Sequence, residues 1–164
     1  MRARARAALW VVAGLIAAGT ASAVGAPAQA VDVCDVDFGL YIAGTESADY
    51  LVGTSGPDLI RGYGGDDVIE GGGGNDTIIG GPGNDLLIGG PCDDTIKGNE
   101  DNDQLVGFDG DDEINGNLGD DLILGGPGAD TIDGGQGNDE CSDEPSTDVS
   151  YIIYLINYVP TYPC

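Results

Sequence analysis

The chain of 164 residues contains no histidine, and this absence removes several catalytic designs at once. Without histidine there is no H-E-x-x-H zinc motif and no Ser-His-Asp triad. No G-K-[ST] phosphate-binding motif occurs, and residues 53–57 depart from the G-x-S-x-G nucleophile elbow because Pro57 replaces its last glycine. Only a carboxylate pair is left for acid–base chemistry. The sequence therefore predicts a protein that is not an enzyme.

Basic residues are almost as scarce as histidine. Five Lys and Arg stand against 29 Asp and Glu, which gives a formal net charge of −24. Three of the five lie within the first six residues, so that Arg61 and Lys97 are the only cations after residue 30 and the charge there is −27. Because phosphate groups are bound by basic surfaces, this balance excludes nucleic acid as a natural partner.

No apolar run approaches the ~20 residues that a membrane-spanning helix requires. The apolar stretch 7–18 follows three arginines and precedes two A-x-A sequences, Ala21–Ala23 and Ala28–Ala30. This order is typical of a signal peptide cleaved after one of them, and Pro27 favours the second, so that residues 1–30 would be removed. An uncleaved membrane anchor is the alternative, which the short run disfavours. We therefore expect a secreted, extracellular protein whose mature chain does not span a membrane.

The cysteines are few and widely spaced: Cys34, Cys92, Cys141 and Cys164. In an exported chain four cysteines predict two disulfides, for which three pairings exist. A zinc site is the alternative interpretation, but the chain offers neither C-x-x-C spacing nor histidine to support it.

A nine-residue unit recurs eleven times between Gly44 and Ser142 without insertion or deletion. Every unit begins with glycine, and its eighth residue is apolar, ending with Cys141 in the last unit. The sixth residue is always aspartate: Asp49, Asp58, Asp67, Asp76, Asp85, Asp94, Asp103, Asp112, Asp121, Asp130 and Asp139. Aspartates that served only as a solvated acidic surface would not recur with an exact nine-residue period. The pattern instead predicts a solenoid, a stack of identical coils.

The composition of one unit predicts its conformation. Glycines at positions one, two and four permit the positive φ angles of a tight turn and keep side chains away from the turn carbonyls. Positions seven to nine suit a short strand, in which the eighth side chain faces away from its two neighbours. Two units then form an 18-residue coil, and stacked coils form two parallel sheets. We predict an all-β parallel β-roll over 44–142, preceded by a lead-in or cap at 31–43 and followed by a capping tail at 143–164.

The unit G-G-x-G-x-D-x-U-x, well represented by 71–79 and 80–88, resembles the RTX, or haemolysin-type, calcium-binding nonapeptide repeat. This resemblance implies calcium ions between turns two units apart, held by the sixth-position aspartates and by turn carbonyls. The implied aspartate pairs begin with Asp49 and Asp67 and end with Asp121 and Asp139, which sets a ceiling of nine Ca²⁺ ions. The most regular units supply the implied carbonyl ligands: Gly72, Gly74, Gly81, Gly83, Gly126, Gly128, Gly135 and Gly137. Oxygen ligands of this kind suit calcium better than magnesium.

A thin core and a charge of −27 predict that the chain folds only when calcium is bound. The leading interpretation is therefore a secreted calcium-binding protein, and the alternative is a calcium-gated extracellular adhesion or cell-surface interaction module. With the aspartates assigned to metal, no carboxylate pair remains for catalysis.

The outward strand positions differ between alternate units. Odd-numbered units present a mainly apolar face: Tyr50, Val52, Val68, Leu86, Ile88, Val106, Leu122 and Leu124. Such a face predicts a protein partner or a cover, for which the apolar segment 149–159 is available; the alternative is simple β-propensity. Stacked coils lie ~4.8 Å apart, so the lead-in that contains Cys34 can reach Cys92 in the sixth unit. Of the three disulfide pairings, this spacing favours Cys34–Cys92 together with Cys141–Cys164.

Overall fold

The computed structural model describes Cys34 and residues 39–142, and these residues form a parallel β-roll as predicted. Eight of its twelve strands have three residues, the number that each unit provides between turns, and the other four continue into the following turn and have six. They are β1 Tyr41–Ala43, β2 Tyr50–Val52, β3 Leu59–Arg61, β4 Val68–Glu70, β5 Thr77–Pro82, β6 Leu86–Ile88, β7 Thr95–Glu100, β8 Gln104–Val106, β9 Glu113–Leu118, β10 Leu122–Leu124, β11 Thr131–Gln136 and β12 Glu140–Ser142.

Successive strands alternate between two six-stranded sheets. Sheet one has the order β1-β3-β5-β7-β9-β11, and sheet two has the order β2-β4-β6-β8-β10-β12. Every strand pairs in parallel with the strand two places along, so that Ile60 lies beside Ile78 and Ile69 beside Leu87. The register of 18 residues confirms the predicted coil of two units.

The core is a double row of eighth-position side chains enclosed between the sheets. Eight of them are at most 1% exposed: Ile60, Ile69, Ile78, Leu87, Ile96, Leu105, Ile114 and Ile123. Ile42 and Leu51 at one end, and Ile132 and Cys141 at the other, are partly buried against this row. The ends are more exposed because, among the described residues, each terminal side chain has a stacked neighbour on one side only.

The lead-in contributes a strand that the repeat pattern did not reveal. β1 pairs with β3, and its Ile42 extends the core row beside Ile60. Leu40 stands nine residues before Asp49, where a further unit would have its aspartate, so the aspartate column does not extend into this segment. Its backbone nevertheless follows the roll, because the N–H of Leu40 donates to Oδ1 of Asp58 over 2.5 Å.

A disulfide joins Cys34 to Cys92, with the two Cα atoms 5.7 Å apart, which is one of the two predicted pairings. Cys141 is also disulfide-bonded, but Cys164 of the other predicted pairing lies outside the described residues. The predicted signal peptide and the tail 143–164 lie outside them too. Within the described part of the chain, no helix has the length and apolarity needed to cross a membrane.

The outer face of sheet two is apolar along much of its length, as the sequence indicated, but its exposure is uneven. Tyr50 and Val52 are 65% and 49% exposed. Val106 and Leu124, at equivalent outward positions, are 3% and 8% exposed and pack with Phe108 from the next turn. The outward side chains of this face are therefore exposed at the N-terminal end of the roll, whereas Val106 of β8 and Leu124 of β10 are buried.

Candidate metal centre

The sixth-position aspartates stand at the ends of the turns, immediately before the strands, and form two rows. One row precedes sheet two and contains Asp49, Asp67, Asp85, Asp103, Asp121 and Asp139; the other precedes sheet one and contains Asp58, Asp76, Asp94, Asp112 and Asp130. Within a row, Oδ1 of each aspartate after the first accepts the backbone N–H of the aspartate 18 residues earlier, over 2.7–3.1 Å. The structure thus brings together all nine predicted pairs.

The second carboxylate oxygen, Oδ2, has no such donor in the middle of the roll. It is buried and without a hydrogen-bond partner in seven aspartates that are only 1–2% exposed: Asp67, Asp76, Asp85, Asp94, Asp103, Asp112 and Asp121. A buried carboxylate oxygen normally accepts hydrogen bonds, because leaving it desolvated and unpaired is costly. A row of such oxygens is the feature that points to a ligand.

The first glycine of each unit makes room for this oxygen. A Cβ on Gly62 would collide with Oδ2 of Asp67, and a Cβ on Gly80 with Oδ2 of Asp85. The sequence interpretation gave this glycine a positive φ, which is wrong: no first-position glycine has one. The constraint is space beside the carboxylate.

Burial raises the pKa of the central aspartates because the charged form loses its hydration. It raises the pKa of Asp76, Asp85 and Asp112 to about 6, and that of Asp94 and Asp103 to about 8. The N–H bond from the preceding coil opposes this rise, and neighbouring carboxylates add to it. Desolvation by burial is also the main cause that raises the pKa values of Asp67 and Asp121. The central aspartates therefore carry their negative charge at a free-energy cost that a positive charge nearby would reduce.

Glycines at positions two and four allow the turns to stack closely. A Cβ on Gly81 would meet the carbonyl of Tyr63, and a Cβ on Gly135 would meet that of Asn117. The predicted glycines occupy such stacked positions, and all of them except Gly128 have positive φ. Backbone carbonyls therefore lie between successive turns.

Several units carry other residues at positions two and four without losing this turn. Six residues adopt positive φ there: Tyr63, Cys92, Asn99, Asp101, Phe108 and Asn117. Asn and Asp tolerate the left-handed conformation, whereas it is unfavourable for Tyr63, Cys92 and Phe108 and is maintained there by the stacked coils on either side. The irregular units therefore keep the backbone path of the regular ones.

The residues present fit a hard divalent cation. No group of three or more Asp, Glu, Cys or His side chains able to hold a metal occurs in the described residues, so that carboxylates alone would not complete a coordination shell. Calcium accepts a mixture of carboxylate and backbone carbonyl oxygens, and both are present between stacked turns. The unpartnered Oδ2 atoms supply the negative charge.

Comparison with known families agrees with this chemistry. The family model of the RTX calcium-binding nonapeptide repeat, which spans four copies of the repeat, matches three ranges: residues 43–78, 70–105 and 106–141. These matches together cover residues 43–141, which is more than half of the chain. No curated protein was found to match the sequence.

Proposed function

Because this chain belongs to the RTX calcium-binding nonapeptide repeat family, we propose that it is a secreted, non-enzymatic calcium-binding protein whose roll folds when calcium binds. The single observation that carries the proposal is the set of seven buried aspartates whose Oδ2 atoms have no partner. A solenoid held only by its core and ladders would not bury carboxylates in this state, because the cost recurs in every coil.

The proposed ligands are the sixth-position aspartates together with carbonyls of the stacked turns. The turn glycines named from the sequence, such as Gly81 and Gly83, contribute through their backbone oxygens. When bound, calcium supplies positive charge beside desolvated carboxylates. The protein's own residues hold the carboxylate in position: the N–H of the preceding aspartate fixes Oδ1, and the first glycine leaves space at Oδ2.

Folding on binding follows from the charge of the chain. Two cations against 29 carboxylates after residue 30 disfavour any compact state, and the core is only one side chain wide in each strand. Metal that binds the stacked turns but not the separated chain adds its binding free energy to the stability of the folded state.

Secretion is supported by two independent features. The first thirty residues have the order of a signal peptide, with arginines, an apolar stretch and A-x-A sites. The roll also contains the Cys34–Cys92 disulfide, and such bonds persist in oxidising compartments.

Circular dichroism of the chain in chelator and in millimolar calcium tests the proposal. We expect a largely disordered spectrum in chelator and a cooperative gain of β signal with calcium, whereas magnesium restores little because it prefers a stricter octahedron with water ligands. Full β structure in excess chelator, with no calcium bound in a parallel titration, would rule the proposal out.

A second candidate function is a calcium-gated interaction module. It is favoured by the exposed side chains Tyr50 and Val52 at the open end of sheet two, where apolar surface meets solvent. A saturable partner found only in calcium, and lost in the variant Tyr50→Ser, would support this candidate over simple calcium binding.

A further inference from the structure

The first two turns of the roll satisfy their aspartates without metal. In the first unit, the backbone N–H and the hydroxyl of Thr45 both donate to Oδ2 of Asp49, over 2.6 and 2.9 Å. In the second unit, the N–H and hydroxyl of Thr54 donate to Oδ2 of Asp58, over 2.6 and 3.0 Å. Because the same arrangement occurs twice, it is a property of threonine at position two.

The backbone explains why later turns differ. At position two of later turns, the N–H donates to the first glycine's carbonyl in the next coil, over 2.9–3.2 Å; these donors are Tyr63, Gly72, Gly90 and Phe108. All four have positive φ, whereas Thr45 and Thr54 do not. A β-branched side chain strongly disfavours positive φ, so threonine leaves its N–H directed at its own aspartate.

Burial does not account for the difference. Asp58 is 4% exposed and Asp76, the next aspartate in its row, is 2% exposed. The oxygens of Asp58 accept the N–H of Leu40 and the two donors of Thr54. Asp76 has the same bond at Oδ1 and nothing at Oδ2. Two carboxylates of similar low exposure thus differ in whether the residue at position two donates to Oδ2.

We infer that Thr45 and Thr54 take the place of a cation in the first two turns, so that Asp49 and Asp58 are not calcium ligands. This inference rests on the proposed function. It reduces the maximum number of bound calcium ions from nine to seven, because the site between Asp49 and Asp67 and the site between Asp58 and Asp76 each lose one carboxylate ligand. The N-terminal end of the roll is then a metal-independent start on which calcium-dependent coils stack.

The test counts the calcium ions bound per full-length chain by equilibrium dialysis, with circular dichroism to confirm folding in calcium. Thr54→Gly removes the hydroxyl and permits positive φ, so we expect it to bind one ion more than the wild type. Thr54→Ser keeps the N–H and the hydroxyl and is the matched control, expected to bind the wild-type number. A Thr54→Gly variant that gains no ion overturns the inference.

A second pair of variants tests the same inference from the aspartates. Asp58→Asn is expected to leave the number of bound ions unchanged, whereas Asp76→Asn loses at least one. Equal losses in the two variants, in a wild type that binds calcium, overturn the inference alone. A wild type that binds no calcium overturns the proposed function and the inference with it, so the two failures are distinguishable.

Discussion

Asp58 and Asp94 occupy the same place in the repeat and lie in the same row of turns, but their surroundings differ. Both are nearly inaccessible, at 4% and 2% exposure, and both receive a backbone N–H at Oδ1. Oδ2 of Asp58 is held by Thr54, whereas that of Asp94 has no partner. Position two of the unit therefore determines whether an aspartate completes its bonds within the protein or presents an oxygen to a cation.

The same contrast divides the roll into an N-terminal region and a central region. In the N-terminal turns a threonine donates hydrogen bonds to Oδ2 of the aspartate, and the adjoining strands expose Tyr41, Tyr50 and Val52. The central turns bury unpartnered carboxylates around a core that is at most 1% exposed. The carboxylate oxygens without a hydrogen-bond partner thus lie in the best-packed part of the molecule.

The largest expected effect is a response of the central region to pH in chelator. Asp94 and Asp103 have a pKa of about 8 in the metal-free roll, against the ordinary aspartate value of 3.8. The folded state then holds protons more tightly, and the resulting stability is fully present below about pH 4 and is lost as the pH rises through about 8. We expect β signal in chelator to increase as the pH falls from about 9 to 5.

The control for the pH response is Asp94→Asn with Asp103→Asn, which removes two titrating groups and should flatten the curve. Calcium competes with the same protons, so its affinity should fall as the pH is lowered. A metal-free chain that gained β structure as the pH rose would contradict the role given to the central carboxylates.

The next effect compares ligands in the two regions. Asp85→Ala removes a carboxylate shared by two neighbouring proposed calcium sites, one with Asp67 and one with Asp103. Asp49 belongs only to the first site of its row, and its Oδ2 accepts a hydrogen bond from Thr45. We expect Asp85→Ala to lose about two bound calcium ions and Asp49→Ala to lose none, measured by titration calorimetry. Equal losses would argue against shared ligation.

A third prediction compares core positions in saturating calcium. Ile78 is fully buried, whereas Ile132 at the last coil is only partly buried. Ile78→Ala should reduce the free energy of unfolding by about 2–5 kcal/mol, because it leaves a cavity between two stacked side chains. Ile132→Ala should cost less, since the end of the roll can relax. Urea denaturation measures both, and a larger loss at Ile132 would contradict the packing gradient.

The smallest expected effect concerns the disulfide that joins the region before the first turn to the sixth unit. Cys34→Ser should lower the free energy of unfolding by about 2–4 kcal/mol, because a loop of 58 residues is no longer closed in the unfolded chain. The number of bound calcium ions should not change, because neither cysteine replaces an aspartate. Wild-type protein in reductant, which also opens the disulfide of Cys141, should be destabilised at least as much as the variant in urea denaturation. A loss of calcium ions in the variant would contradict the separation of the two roles.

Most of the fold follows from the period of the sequence. Glycine, aspartate and an apolar residue in fixed phase predict the coil of 18 residues, and the register of Ile60 beside Ile78 confirms it. The strand at Tyr41–Ala43 was missed because Leu40 breaks the aspartate column. The signal available was Ile42, which stands nine residues before Leu51 and continues the apolar column.

The sequence by itself determined which residues face the core, which stand in the turns and which aspartates are neighbours, because a solenoid converts a linear period directly into stacking. Only the tertiary structure decided the condition of each carboxylate oxygen. Whether Oδ2 has a donor depends on φ at position two and on the turn in the adjacent coil, as in the contrast between Thr54 and Gly72. Such a property belongs to two stacked backbones at once, and no single unit of the repeat contains it.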